Sequence, residues 1–124
     1  MDQPAEPPAA EVTRAVTPGD LAGLLRASRY ATIAWADGGN IAAEPVAFDY
    51  GDGRYRFGLP AGRFPGGIEA TLVVDAGPGF FQLRGVRVRG TAARLAGSPG
   101  EPLEWFEIAP ERETAWHYGR MRER

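Results

Sequence analysis

The stretch Phe80-Phe-Gln-Leu-Arg-Gly85-Val-Arg-Val-Arg-Gly90-Thr-Ala-Ala-Arg-Leu95 decides the fold. It is the longest run that reads as one β-strand, with β-branched, aromatic and alternating residues and no proline. Its alternation carries a fault. Phe81 and Leu83 share one face, and Val86 and Val88 then fall on the other, because side chains in a strand repeat every second residue. One extra residue at Arg84-Gly85 returns all of them to one face, which predicts a β-bulge at Gly85. Beyond it, Arg87 and Arg89 lie opposite the valines. Between Ala76 and Gly100 stand Arg84, Arg87, Arg89 and Arg94 with no acid, so this strand has a basic face that can meet an anion.

Outward from this strand the chain reads as many short strands. Thr17-Pro18-Gly19-Asp20 is a helix start, with Thr as N-cap and Pro at the first helical position. Leu21, Leu24 and Leu25 give that helix an apolar stripe, and it is expected to end near Ser28. Tyr30–Ala36 and Ile41–Tyr50 read as paired strands around the turn Asp37-Gly38-Gly39-Asn40. Pro45 within the second requires an edge or a break in the ladder. After Gly51-Asp52-Gly53 comes a strand over Arg54–Leu59, then a loop over Pro60–Gly67 that sets Gly62 beside Arg63. A glycine-rich loop next to an arginine can cradle an anion through its backbone N–H groups. It is equally an ordinary connection. Ala70–Asp75 is a short buried strand. Ala96–Pro102 is a loop and Leu103–Ile108 another strand, interrupted by Pro110. Glu111–Tyr118 reads as a last strand or a short helix, and Gly119–Arg124 as a charged tail. Six or seven regularly spaced strands with one early helix predict an antiparallel barrel or sandwich over residues 17–124. Residues 1–16, with Pro4, Pro7 and Pro8, read as a flexible arm.

Composition narrows the chemistry. The 124 residues carry a net charge of −2, which gives no overall bias towards nucleic acid. No apolar run reaches the length of a membrane span, and no basic-then-apolar leader opens the chain, so a cytoplasmic protein is expected. Cysteine is absent, which excludes disulfides, a thiol nucleophile and thiolate metal sites. Lysine is absent too, which excludes Schiff-base chemistry. Ser28 and Ser98 are the only serines and His117 the only histidine, a poor basis for a catalytic triad or a structural metal site. Any chemistry therefore falls to a bound cofactor.

Three stretches resemble the flavin-binding split-barrel family around pyridoxamine phosphate oxidase, which also includes deazaflavin-dependent reductases. Arg29–Ala34, the turn Asp37–Asn40 and Glu44-Pro45-Val46 are similar to that family's first hairpin. Tyr55-Arg56-Phe57 running into Gly62-Arg63 looks like its phosphate-holding strand and loop. Arg84-Gly-Val-Arg-Val-Arg-Gly90 resembles its Arg-Gln-Val-Arg-aliphatic-Glu-Gly strand. The resemblance implies an antiparallel six- to seven-stranded split barrel with one N-terminal helix, forming a homodimer with cofactor clefts between subunits. It implies flavin mononucleotide as cofactor and possible redox chemistry on a small molecule, with a deazaflavin as the alternative. Some relatives handle haem, for which His117 is the available axial ligand, but the resemblance favours flavin.

The cofactor set that the resemblance implies is Gly62 and Arg63 for the phosphate, Thr32 at the flavin edge, Arg87 in the cleft and Trp116 for stacking. Read as residues alone, Arg63 is also a common solvated loop arginine. Arg87 and Arg89 can equally cross a dimer interface or pair with the downstream glutamates, and for Arg89 the pairing is favoured. Trp105, Trp116 and Tyr118 can equally be core or interface residues. The sequence also departs from the family. Gly58, Gly62 and Phe64 stand where hydroxyls and a lysine usually support the loop arginine, and Gly85 where a glutamine approaches the flavin. Ala96–Pro102 is too short for the helix that the family often places there. A barrel that keeps the fold and has lost the cofactor site is therefore a third expectation.

Overall fold

A computed structural model describes residues 18–76, 84–97 and 101–117. The expected arm, the Thr17 cap, Phe81, Leu83, Tyr118 and the tail lie outside these residues. Helix α1 (Pro18–Ala27) precedes six strands: β1 (Tyr30–Asp37), β2 (Asn40–Gly51), β3 (Arg54–Pro60), β4 (Ile68–Ala76), β5 (Arg84–Arg94) and β6 (Leu103–His117). The strands close into a barrel in the order β1-β2-β3-β6-β5-β4, and every neighbouring pair is antiparallel. The expected antiparallel barrel with one helix is thus what the chain forms.

Alternation decides which side chains fill it. Ile33 on β1, Phe57 on β3, Leu72 and Val74 on β4, Val86 and Val88 on β5, and Phe106 and Ile108 on β6 are buried in the interior. A closed sheet of this size is filled by side chains, so these residues form a packed core. The helix ends as expected: Ser28 donates both its backbone N–H (3.1 Å) and its hydroxyl (2.7 Å) to the Leu24 carbonyl. Leu24 and Leu25 are buried against the core. Pro45 falls where β2 pairs with β1 alone, since the β2–β3 ladder begins at Ala47–Gly58, so its missing N–H is tolerated.

Two sequence expectations are corrected. No bulge stands at Gly85: Ala76–Arg84, Asp75–Gly85 and Val74–Val86 follow in unbroken register, as do Gly85–Trp116 and Val86–Ala115 on the other side. The register shift lies further on, where Arg89 pairs with Arg112 and Gly90 with Pro110, leaving Glu111 as the extra residue on β6. A Cβ at Gly90 would lie 1.9 Å from the Ala109 carbonyl oxygen, so the bulge depends on glycine there. The second correction follows from the first. Pro110 does not end the sixth strand but sits at the bulge, where the ladder is already interrupted, and β6 runs on for 15 residues as one strand.

Candidate functional site

The strand ends and the loop over residues 61–67 build a polar mouth at one end of the barrel. Phe64 points from the loop into the interior and corks it. Its ring meets Trp35 (5.0 Å between centroids), Phe57 (5.5 Å) and Phe106 (4.9 Å) edge-on, which is the favoured aromatic geometry. Above this cork sit the two residues expected to hold a phosphate. Each is engaged by a carboxylate of the chain. Arg63 Nη1 donates to Glu44 Oε1 at 2.7 Å. The Gly62 N–H donates to Glu104 Oε1 at 3.1 Å, and the other oxygen of Glu104 takes the Arg94 guanidinium. Arg94 also lies over the Phe106 ring at 5.2 Å. As built, Glu44 and Glu104 accept from Arg63 Nη1 and the Gly62 N–H, so a phosphate at the mouth competes with two carboxylates of the chain.

A cleft of about 860 Å3 opens beside this mouth. Trp105, Leu95 and Leu103 give it an apolar wall, and its charged groups are Arg56 and Arg94 together with Asp49, Glu101 and Glu104. The register explains Trp105. It stands directly opposite Gly58 on the outer face, and a Cβ on Gly58 would come within 2.7 Å of the indole. The missing side chain lets the ring lie down on the sheet. Arg56 is held by Glu107 (3.3 Å) and Asp49 (3.6 Å). The volume is that of a small-molecule site, and the lining mixes an aromatic surface with a few charged groups, as such sites do.

The other expected cofactor residues lie on a different wall. Thr32, Val73, Arg87 and Thr114 form one cross-strand row over β1, β4, β5 and β6. Trp116 lies next to that row, over Gly85, where a Cβ would meet its ring at 2.5 Å. Thr32, Arg87 and Trp116 thus share one face of the sheet, while Gly62 and Arg63 stand on the loop over residues 61–67. Arg89 is paired, as favoured, but with Glu69 of β4 rather than with a downstream glutamate. Its Nε and Nη2 donate to the two carboxylate oxygens at 3.1 and 3.3 Å. This contact holds Arg89 more firmly protonated than a free arginine. Sequence reasoning missed Glu44, Glu69 and Glu104, because only cross-strand register and loop closure bring them to their arginines.

No family model matches the sequence, and no curated protein matches it. Solved structures do match in shape. The FAD-binding protein from Mycobacterium smegmatis superposes with a TM-score of 0.68 at 14% identity, over 83% of this chain and 97% of that one. A candidate pyridoxamine 5'-phosphate oxidase from Corynebacterium glutamicum gives 0.64 at 12% identity, over 81% and 93%. This chain has the split-barrel fold of the pyridoxamine 5'-phosphate oxidase-like proteins. A second Mycobacterium smegmatis split barrel, described as binding FAD and haem, gives 0.67 at 16% identity, over 82% and 71%. Among the described residues of this split barrel, no helix is long and apolar enough to cross a membrane.

Proposed function

We propose that this split barrel binds a flavin nucleotide, flavin mononucleotide first among them, in the cleft beside Trp105. One observation carries the reading: an indole laid flat on Gly58 borders an 860 Å3 cleft that also holds Arg56 and Arg94. A flat heteroaromatic ring gains from stacking on such a surface, and the guanidinium groups suit a phosphoryl end that competes with their carboxylate partners Asp49, Glu107 and Glu104. A bound flavin would supply hydride or electron transfer to a small molecule. The protein's part is to stack the ring, hold the phosphate and exclude water. The outer row Tyr30, Ala47, Gly58 and Trp105 is largely apolar, and Tyr30 is 77% exposed. This supports a homodimer in which a second copy covers that wall. Thr32, Arg87 and Trp116 would then reach a ligand only from the partner's side.

The carboxylate-paired mouth favours a second reading, a split barrel that has given up cofactor binding. Both readings meet in one experiment. The purified protein is titrated separately with flavin mononucleotide, FAD and a deazaflavin, following flavin fluorescence and the visible spectrum. Quenching that weakens in Trp105→Ala supports flavin binding. Absence of binding by all of these at high micromolar concentration sinks it and leaves the non-catalytic barrel.

A further inference from the structure

On the β4–β5–β6 wall the chain breaks a rule of sheet construction. Arg89 and Arg112 stand directly opposite each other across the β5–β6 ladder. Residues so paired hold their Cβ atoms about 5 Å apart, and like charges there are destabilising. Arg87 lies two residues from Arg89 on the same face and adds a third guanidinium. Thr71, opposite Arg89, and Thr114, opposite Arg87, supply hydroxyls. Together these five side chains line a depression of about 400 Å3. Thr114 is 7% exposed, a buried polar side chain in the floor of a cationic pocket. Glu69 offsets part of the charge through Arg89. Among the described residues, no acid comes within ion-pair distance of Arg87 or Arg112.

The geometry points to a binding site for a phosphoryl group in this depression, held by Arg87 and Arg112 with hydroxyl donation from Thr71 and Thr114. Guanidinium groups match the tetrahedral oxyanion with forked, charge-assisted hydrogen bonds, and the two hydroxyls can each donate one more. A dianion between Arg87 and Arg112 supplies the negative charge that this guanidinium cluster lacks beyond the Glu69 partner of Arg89. The pocket shares no lining residue with the Trp105 cleft. It therefore stands whether or not that cleft takes a flavin. Its size admits more than inorganic phosphate, so the phosphoryl group can be free or the end of a small ester.

Isothermal titration of the full chain with inorganic phosphate, and separately with glycerol 3-phosphate, tests the site at fixed ionic strength against chloride. Saturable binding of either is expected, with tighter binding of the ester marking an ester site. Arg112→Gln is expected to weaken it about tenfold or more, while Arg26→Gln on helix α1, which does not line the depression, leaves it unchanged. In phosphate-free chloride buffer, Arg112→Gln melts no lower than the parent protein, because a repulsive pair has been removed. Arg87→Gln provides the same reading should Arg112→Gln fail to fold. Binding that chloride reproduces, or that Arg26→Gln weakens as much as Arg112→Gln does, overturns the assignment.

Discussion

Gly90 shows how much one residue can decide. It pairs with Pro110 beside the bulge, and the Ala109 carbonyl oxygen occupies the space of its missing Cβ. Gly90→Ala must therefore push backbone against backbone in the middle of the longest ladder. A loss of about 4 kcal/mol or more is expected, read as a lower urea midpoint or as insoluble protein. Tyr55 is a quieter case. Burial, the neighbouring Glu113 carboxylate and a hydrogen bond to it all raise the pKa of the phenol far above its ordinary value. A raised pKa means that the folded state keeps the proton. Stability is then constant below about pH 10, where a free phenol ionises, and falls as pH rises beyond it. Tyr55→Phe should flatten the slope of stability against pH above pH 10. At neutral pH it should cost about 1 kcal/mol, the net worth of the lost hydrogen bond. Glu104 holds Gly62 and Arg94 together. Under the flavin reading, Glu104→Gln frees a positive cradle, so flavin mononucleotide should bind more tightly to the variant while riboflavin, which lacks the phosphate, does not.

At the scale of elements, the loop over residues 61–67 does two jobs. It plugs the barrel with Phe64 and presents Gly62 and Arg63 at the rim. The plug dominates energetically. Phe64 is fully buried among Trp35, Phe57 and Phe106, whereas the Arg63–Glu44 pair is half exposed and worth at most about 1 kcal/mol. Phe64→Ala should cost about 3–5 kcal/mol in a thermal or urea melt, as large-to-small changes in packed cores do. Arg63→Ala should cost under about 1 kcal/mol in the same assay. A comparable loss in both variants would mean that the ion pair, not the ring, fastens the loop. Strand β6 is the other element with a double role. Its tryptophans Trp105 and Trp116 cover Gly58 and Gly85 on neighbouring strands, so one strand repairs two gaps in the outer wall.

At the scale of the whole molecule, the barrel sorts its ionisable groups into two places, the mouth and the outer walls. Arg56, Arg63, Arg89 and Arg94 are each paired with an acid. Such pairs are partly exposed and each worth at most about 1 kcal/mol, so even when salt screens them the melting temperature should change little between low and moderate ionic strength in chloride. Phosphate at equal ionic strength should raise it, because Arg87 and Arg112 then gain a partner.

Local pattern in the sequence determined the strands, the turn at Asp37–Asn40, the helix and its end at Ser28, and the shared face of Val86 and Val88 on β5. Period-two alternation and turn residues act over a few neighbours, so they can be read along the chain. The likeness to the split barrel was legible for the same reason, from short motifs in order. What only the tertiary structure decided was pairing. The bulge moved from Gly85 to the contact of Gly90 with Ala109 and Pro110, because its cause is a partner strand and not a break in alternation. Pro110, read as a stop, proved compatible with one long strand because the bulge had already opened the ladder. The expected phosphate loop turned out to be engaged by Glu44 and Glu104, which lie 19 and 42 residues from their partners. Opposition of Arg89 to Arg112 likewise exists only once β5 and β6 are in register. Charge can be counted along a chain, but a carboxylate 42 residues away meets its amide only when the barrel closes.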